Sequence, residues 1–66
     1  MSHYENLLAV AQRAEKNTGK EFKVSLFNKE KDMYDFHYQG AVMCLNMPYR
    51  DVLEKIQKME RILMRP

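Results

Sequence analysis

Hydrophobic residues in the first eighteen positions recur at helical spacing and share one face. Ser2 and Glu5 have the spacing of a capping box, in which each side chain bonds a backbone N–H that the first helical turn leaves unpaired. We therefore predict a helix that starts at Ser2 and ends between Asn17 and Gly19. Its apolar face comprises Tyr4, Leu7, Ala11, Ala14 and Thr18.

The apolar period changes to two in the middle of the chain. Residues 21–27 alternate apolar and polar positions and predict a strand, and residues 34–38 predict a second, antiparallel strand in the same way. The charged residues 28–32 between them predict a solvated hairpin loop. Gly40 can adopt a positive φ, so it forms either a tight turn into a third strand over 41–45 or a bulge in one long strand. We favour the turn.

The last third of the chain carries a strong amphipathic pattern. Its apolar positions alternate in steps of three and four: Tyr49, Val52, Ile56, Met59 and Leu63. Asn46 is a typical N-cap residue and Pro48 suits a first helical turn, so we predict a helix from about Met47 nearly to the carboxyl terminus. Two acid-before-base pairs at i,i+4 spacing are expected to support it: Asp51 with Lys55, and Glu54 with Lys58.

These elements predict a single α+β domain over residues 1–66, in the order α-β-β-β-α. The sheet has two or three antiparallel strands, and both helices lie on one of its faces in a two-layer arrangement. The aromatic residues of the second strand are expected in the core, because they are the apolar row that can join the first strand: Tyr34, Phe36 and Tyr38. Phe27 points the other way and is expected to be partly exposed.

Two residues near the end of the last helix break its pattern. At 100° per residue Glu60 projects into the apolar arc and Ile62 projects out of it. One interpretation is that the helix extends past its own sheet, so that the pattern there is relaxed. The other is that Ile62 and Met64 contact a second chain, with Glu60 paired to an arginine across the interface. The second interpretation predicts a homodimer that buries the end of this helix.

Composition favours self-association and gives little support to other stabilising devices. A chain of 66 residues has a small core, and its single cysteine, Cys44, cannot form an intrachain disulfide.

The formal net charge of +2 is too slight to indicate nucleic-acid binding by itself. The longest apolar run is short, so we expect no membrane segment. A soluble cytoplasmic protein with Cys44 reduced is the default expectation. We expect no metal or cofactor, because the sequence has no convincing cluster of metal ligands.

Candidate catalytic or metal-binding residues are few. His37 and Cys44 could lie on neighbouring strands as a Cys-His pair, but a chain with so little core can hardly enclose a water-excluding cleft. A zinc site built from His3, His37 and Cys44 would lack a closely spaced ligand pair and a fourth ligand. We therefore expect a protein that is not an enzyme.

The sequence thus favours a small interaction module, of the kind that phages and mobile elements encode, acting as an inhibitor, adaptor or regulator of an unidentified protein. The predicted interface comprises Tyr49, Ile56, Met59, Ile62, Leu63 and Met64. The alternative is nucleic-acid binding through the basic flank of the last helix, which would contact phosphates or an acidic surface: Arg50, Lys58, Arg61 and Arg65.

Overall fold

The amino-terminal pattern forms helix α1, His3–Thr18, in the computed structural model, which describes residues 2–65. The predicted capping box is present. The Glu5 N–H donates to the Ser2 hydroxyl at 3.1 Å, and the Ser2 N–H donates to the Glu5 carboxylate at 3.4 Å. Gly19 ends the helix at φ 72°, a left-handed conformation in which any Cβ would be strained.

Three antiparallel strands follow in the spatial order β1-β2-β3. Their bounds are Phe22–Asn28 for β1, Met33–Tyr38 for β2 and Ala41–Pro48 for β3. Tyr38 pairs with Ala41, so Gln39 and Gly40 form a two-residue turn between β2 and β3. Their φ angles of 52° and 82° are both positive, as a type I′ hairpin turn requires. The turn predicted at Gly40 is confirmed.

Strand β3 is longer and less regular than predicted. Its 8 residues lie opposite 6 residues of β2, and the pairing register shifts twice. Asn46 lies in one of these bulges at φ 54°, where its N–H donates to the Asp35 carboxylate at 2.8 Å. Asparagine tolerates this left-handed conformation better than most residues. The predicted strand end at Leu45 is therefore wrong, because the bulges carry the strand on to Pro48.

Helix α2, Tyr49–Leu63, begins later than the predicted Met47. Pro48 occupies the cap position at φ −63° and ψ 155°, and it offers no side-chain hydrogen bond. The assignment of Asn46 as the N-cap is wrong, because that residue belongs to β3. Proline fits the helix boundary because its ring fixes φ near the observed value.

The two helices lie side by side and run in the same direction. The Asn6 side-chain amide donates to the Tyr49 hydroxyl at 2.6 Å, and the Asn17 side-chain amide donates to the Glu60 carboxylate at 2.9 Å. Each bond joins residues 43 apart in sequence. A residue of α1 therefore lies beside the residue of α2 whose number is 43 higher. A parallel pair is expected here, because the chain reverses direction at each of the connections between α1 and α2.

Both helices cover one face of the sheet, as predicted, and all five elements contribute to the core: Leu7, Ala11, Ala14, Phe22, Val24, Tyr34, Phe36, Cys44, Val52 and Ile56. Tyr34 and Phe36 are buried as expected, and Tyr38 packs at the margin against the Phe22 ring. Phe27 points away from the core and is exposed, which also agrees with the prediction. No helix covers the opposite face of the sheet in the described part of the chain.

Candidate interaction surfaces

The apolar end of α2 projects past the end of α1. The offset of 43 that aligns the helices places Thr18, the last residue of α1, beside Arg61. Residues 62–65 therefore extend beyond the neighbouring helix. We call the apolar group at this end the α2 tip, which consists of Met59, Ile62, Leu63 and Met64.

Two side chains of the α2 tip face the protein and two face solvent. Met59 and Leu63 are half-buried and pack against the core. Ile62 is 51% exposed and Met64 is 55% exposed. The exposure of Ile62 agrees with its projection out of the apolar arc. The α2 tip therefore continues the apolar surface of the core into solvent.

Glu60, the other residue that breaks the pattern, has a partner within its own chain. Its carboxylate accepts the hydrogen bond from Asn17 that joins the carboxyl-terminal ends of the helices. A polar residue in the apolar arc is thus explained by the position of α1. An arginine of a second chain is not needed to account for it.

The structure separates two other residues of the predicted interface from the α2 tip. Ile56 is 0% exposed and belongs to the core, so it is not available to a partner of the folded chain. Tyr49 lies at the opposite end of α2, where its ring stacks on His3 and its hydroxyl accepts from Asn6. The surface that remains at the carboxyl-terminal end is the α2 tip.

Four exposed cations follow the side of α2 away from the core, and the last of them lies two residues beyond the end of the helix. We call this group the basic ridge: Arg50, Lys58, Arg61 and Arg65. From Arg50 to Arg61 it extends about 16 Å along the helix, and Glu54 is the acidic residue within it. The one contact within 4 Å between a basic and an acidic side chain among residues 2–65 joins His3 and Asp32. The i,i+4 pairs predicted for α2 are therefore not formed, and within the described residues the four cations have no acidic partner at that distance.

A hydrogen-bonded cluster at the amino-terminal end of α1 was not predicted from the sequence. His3 Nδ1 lies 2.5 Å from one Asp32 carboxylate oxygen, and the Tyr34 hydroxyl donates to the other. The His3 ring also stacks on the Tyr49 ring, with their centroids 3.8 Å apart. Because His3 and Asp32 are 29 residues apart in sequence, no local pattern signals their contact. The cluster ties α1 to the β1–β2 loop and to the first turn of α2.

The environment of the cluster shifts the pKa values of two of its members. Burial, followed by the hydrogen bond to Asp32, raises the pKa of Tyr34 to about 12. The hydrogen bond from Tyr34, followed by the contact with His3, lowers the pKa of Asp32. Tyr34 is therefore a hydrogen-bond donor at neutral pH and not a base. A cavity of about 730 Å³ adjoins the cluster, and Leu26 and Lys29 contribute to its lining.

His37 and Cys44 lie on adjacent strands but on opposite faces of the sheet. Cys44 pairs with Phe36 on the core side, whereas His37 pairs with Lys23 and Val42 on the outer side. The two side chains therefore cannot form a Cys-His pair. Burial raises the pKa of the Cys44 thiol, which disfavours the reactive thiolate. In the described part of the chain, no three His, Cys, Asp or Glu side chains are grouped as a metal site.

Neither helix within residues 2–65 combines the length and the apolar content needed to cross a membrane. No protein-family model, curated protein or solved structure matches the chain. A functional proposal for this protein therefore depends on its own surfaces.

Proposed function

We propose that this protein is a small, non-enzymatic interaction module that forms a homodimer through the α2 tip and regulates a protein partner as an inhibitor or adaptor. The observation that carries the proposal is the half-exposed pair Ile62 and Met64 at the end of α2. Both side chains adjoin the half-buried Met59 and Leu63, so a second chain packed there would extend the core across the interface. Burial of such side chains is the main driving force of protein association.

Self-association also suits the size of the domain. A chain of 66 residues leaves much of its apolar surface in water, and a second copy can cover part of it. Because each copy presents the same α2 tip, a two-fold axis through it would make the interface self-complementary. Arg61 and Arg65 flank the tip and would remain at the solvated rim.

Sedimentation equilibrium at tens of micromolar protein tests this proposal. The wild-type chain is expected to have the mass of a dimer, and the Ile62→Asp/Met64→Asp variant the mass of a monomer with an unchanged circular dichroism spectrum. Leu45→Asp is the matched control, because Leu45 is 62% exposed on a strand distant in sequence from the tip, and it should leave the mass unchanged. A monomer mass for the wild type, or a dimer that survives the double substitution, would contradict the proposal.

The second candidate function is nucleic-acid binding by the basic ridge. It is favoured by four exposed cations, three on one side of α2 and one just beyond its end, with no acidic partner within 4 Å among residues 2–65. Contacts with phosphates release counterions, so affinity should fall steeply as salt is raised.

A mobility-shift series with duplex DNA and double-stranded RNA at increasing salt distinguishes this function from protein binding. Arg61→Glu/Arg65→Glu should weaken binding and reduce the salt slope, whereas Lys31→Glu, on the β1–β2 loop, should have a small effect. Equal losses of affinity for the two variants, or an affinity independent of salt, would rule out phosphate contacts by the basic ridge.

A further inference from the structure

The cavity beside the polar cluster is bounded by several parts of the fold. Its walls come from the first turn of α1, the end of β1, the β1–β2 loop and the start of β2. Its volume is about 730 Å³. Sites for small molecules in proteins commonly have volumes of about 300–1,000 Å³. The cavity therefore has the size of a small-molecule site.

Contacts between these parts of the fold hold the walls in place. The Asp32 carboxylate accepts a hydrogen bond from the Tyr34 hydroxyl and lies 2.5 Å from His3 Nδ1. The Tyr4 ring stacks on the Tyr34 ring, with their centroids 6.0 Å apart. Tyr34 is itself buried in the core, which fixes its position. A ligand would therefore enter a preformed site and would not have to order these side chains.

Part of the lining is apolar. Leu26 is 39% exposed although its cross-strand partner, Tyr34, is buried. Tyr4 is half-buried and lines the cavity together with Leu26. An apolar group placed against these two side chains would remove apolar surface from water, which is favourable. This part of the lining therefore suits an apolar portion of a ligand.

The charged residues that line the cavity have both signs: Glu5, Lys29 and Asp32. With His3 neutral, one lysine and two carboxylates give a formal balance of −1. The hydrogen bond from Tyr34, followed by the contact with His3, lowers the pKa of Asp32, so this carboxylate is ionised at neutral pH. The two carboxylates favour an ammonium group in the ligand.

The Glu5 and Lys29 side chains both have bonding capacity to offer a ligand. The Ser2 N–H and hydroxyl donate to Glu5 Oε1, and no other side chain in the described residues bonds the second oxygen. Lys29 Nζ has no carboxylate within 4 Å among residues 2–65. A ligand carboxylate can therefore pair with Lys29 while a ligand ammonium group pairs with Glu5. The lining complements a ligand that carries both charges.

From the fixed walls, the apolar lining and the separate opposite charges, we propose that the cavity binds a small zwitterion with an apolar side chain, such as an apolar α-amino acid. The ammonium group of the ligand pairs with Glu5 near the charge of Asp32, and its carboxylate pairs with Lys29. Its side chain lies against Leu26 and Tyr4. No residue of the α2 tip lines the cavity, so this proposal and the proposed dimer can fail independently.

L-Phenylalanine is a suitable probe of this site. In a titration at neutral pH followed by ¹⁵N–¹H correlation spectra, the amide signals of Leu26 and Lys29 should shift and saturate at millimolar phenylalanine, whereas those of Ile62 and Met64 should not. Two analogues should bind more weakly: phenethylamine, which lacks the carboxylate, and 3-phenylpropionate, which lacks the ammonium group. The absence of a saturable shift at the cavity, or equal affinities for phenethylamine and phenylalanine, would overturn the proposal.

Uncharged variants test the two ionic contacts separately. Lys29→Gln should weaken phenylalanine binding about threefold and should not weaken phenethylamine binding. Glu5→Gln should weaken the binding of both amines and not that of 3-phenylpropionate, and glutamine preserves the capping box. Lys31→Gln is the matched control, because Lys31 lies on the same loop but does not line the cavity, and it should leave every affinity unchanged. Equal losses of phenylalanine affinity for Lys29→Gln and Lys31→Gln would contradict the pairing with Lys29.

Discussion

At the scale of single residues, Tyr34 is the point where the core meets the polar cluster at the end of α1. Its ring is buried against the apolar residues of the sheet and helices, while its hydroxyl donates to Asp32. A buried hydroxyl with a partner of this kind contributes to stability, because removing either member leaves the other without its bond. Both burial and the nearby carboxylate favour the protonated hydroxyl.

Tyr34→Phe should therefore change how stability depends on alkaline pH. The pKa of Tyr34 is raised to about 12 in the folded chain, against about 10 for an unfolded tyrosine. Its contribution is fully present below about pH 10 and is lost as pH rises towards 12, because only the unfolded state releases the proton in that window. Wild type should be more stable than Tyr34→Phe below pH 10, and the difference should shrink by up to about 1.4 kcal/mol per pH unit above it.

Urea unfolding of both chains at intervals from pH 8 to 12 measures this difference. Tyr38→Phe is the control, because Tyr38 lies on the same face of β2 and its hydroxyl has no bond to Asp32. If the difference in the free energy of unfolding between wild type and Tyr34→Phe stayed constant from pH 10 to 12, the Tyr34 hydroxyl would not titrate as inferred.

At the scale of elements, the two-residue turn between β2 and β3 depends on Gly40. The residue has φ 82°, and a Cβ built there would meet nothing within 4 Å. Gly40→Ala should therefore cost about 1 kcal/mol through backbone strain alone, without a steric clash. Gly40→Asn should cost less, because asparagine tolerates left-handed conformations. Chemical denaturation curves would contradict this account if both variants were as stable as wild type.

Elements with strong local signals could be predicted from the sequence, and elements shaped by distant contacts could not. The capping box predicted the start of α1, the alternation of apolar and polar residues predicted β1 and β2, and Gly40 predicted the turn between β2 and β3. Strand β3 was predicted too short, because its two bulges disrupt the alternation on which the prediction depended. Asn46 was misassigned because asparagine is common both at helix caps and in left-handed bulges.

Some features of the candidate surfaces also follow from the local sequence, whereas others depend on contacts between distant residues. The exposure of Ile62 follows from the 100° spacing of helical residues, a property of α2 alone. The partner of Glu60 could not be anticipated, because Asn17 is 43 residues away in sequence. The same limit applies to the contact between His3 and Asp32 and to the cavity beside Leu26. Both arise only when α1 is placed against the β1–β2 hairpin.

At the scale of the whole molecule, the core lies between two parallel helices and one face of the sheet. A core of this kind contains few side chains. Ten of the residues in the described range 2–65 form the buried cluster, and α2 supplies Val52 and Ile56 to it. The same helix carries the exposed Ile62, six positions beyond Ile56 in the sequence. Two isoleucines on one helix therefore occupy opposite environments, which allows folding and assembly to be tested separately.

Ile56→Ala and Ile62→Ala should consequently have different effects on thermal unfolding. Ile56→Ala removes fully buried groups and should cost about 2–5 kcal/mol, enough to unfold much of a domain of this size. Ile62→Ala should change the stability of the monomer by about 0.5 kcal/mol or less, because half of its side chain is already in water. If the α2 tip holds a dimer together, the wild-type midpoint rises with protein concentration, while that of Ile62→Ala rises less. Circular dichroism melts over a hundredfold range of concentration measure both effects, and parallel concentration dependences for wild type and Ile62→Ala would place the dimer contact elsewhere on the molecule.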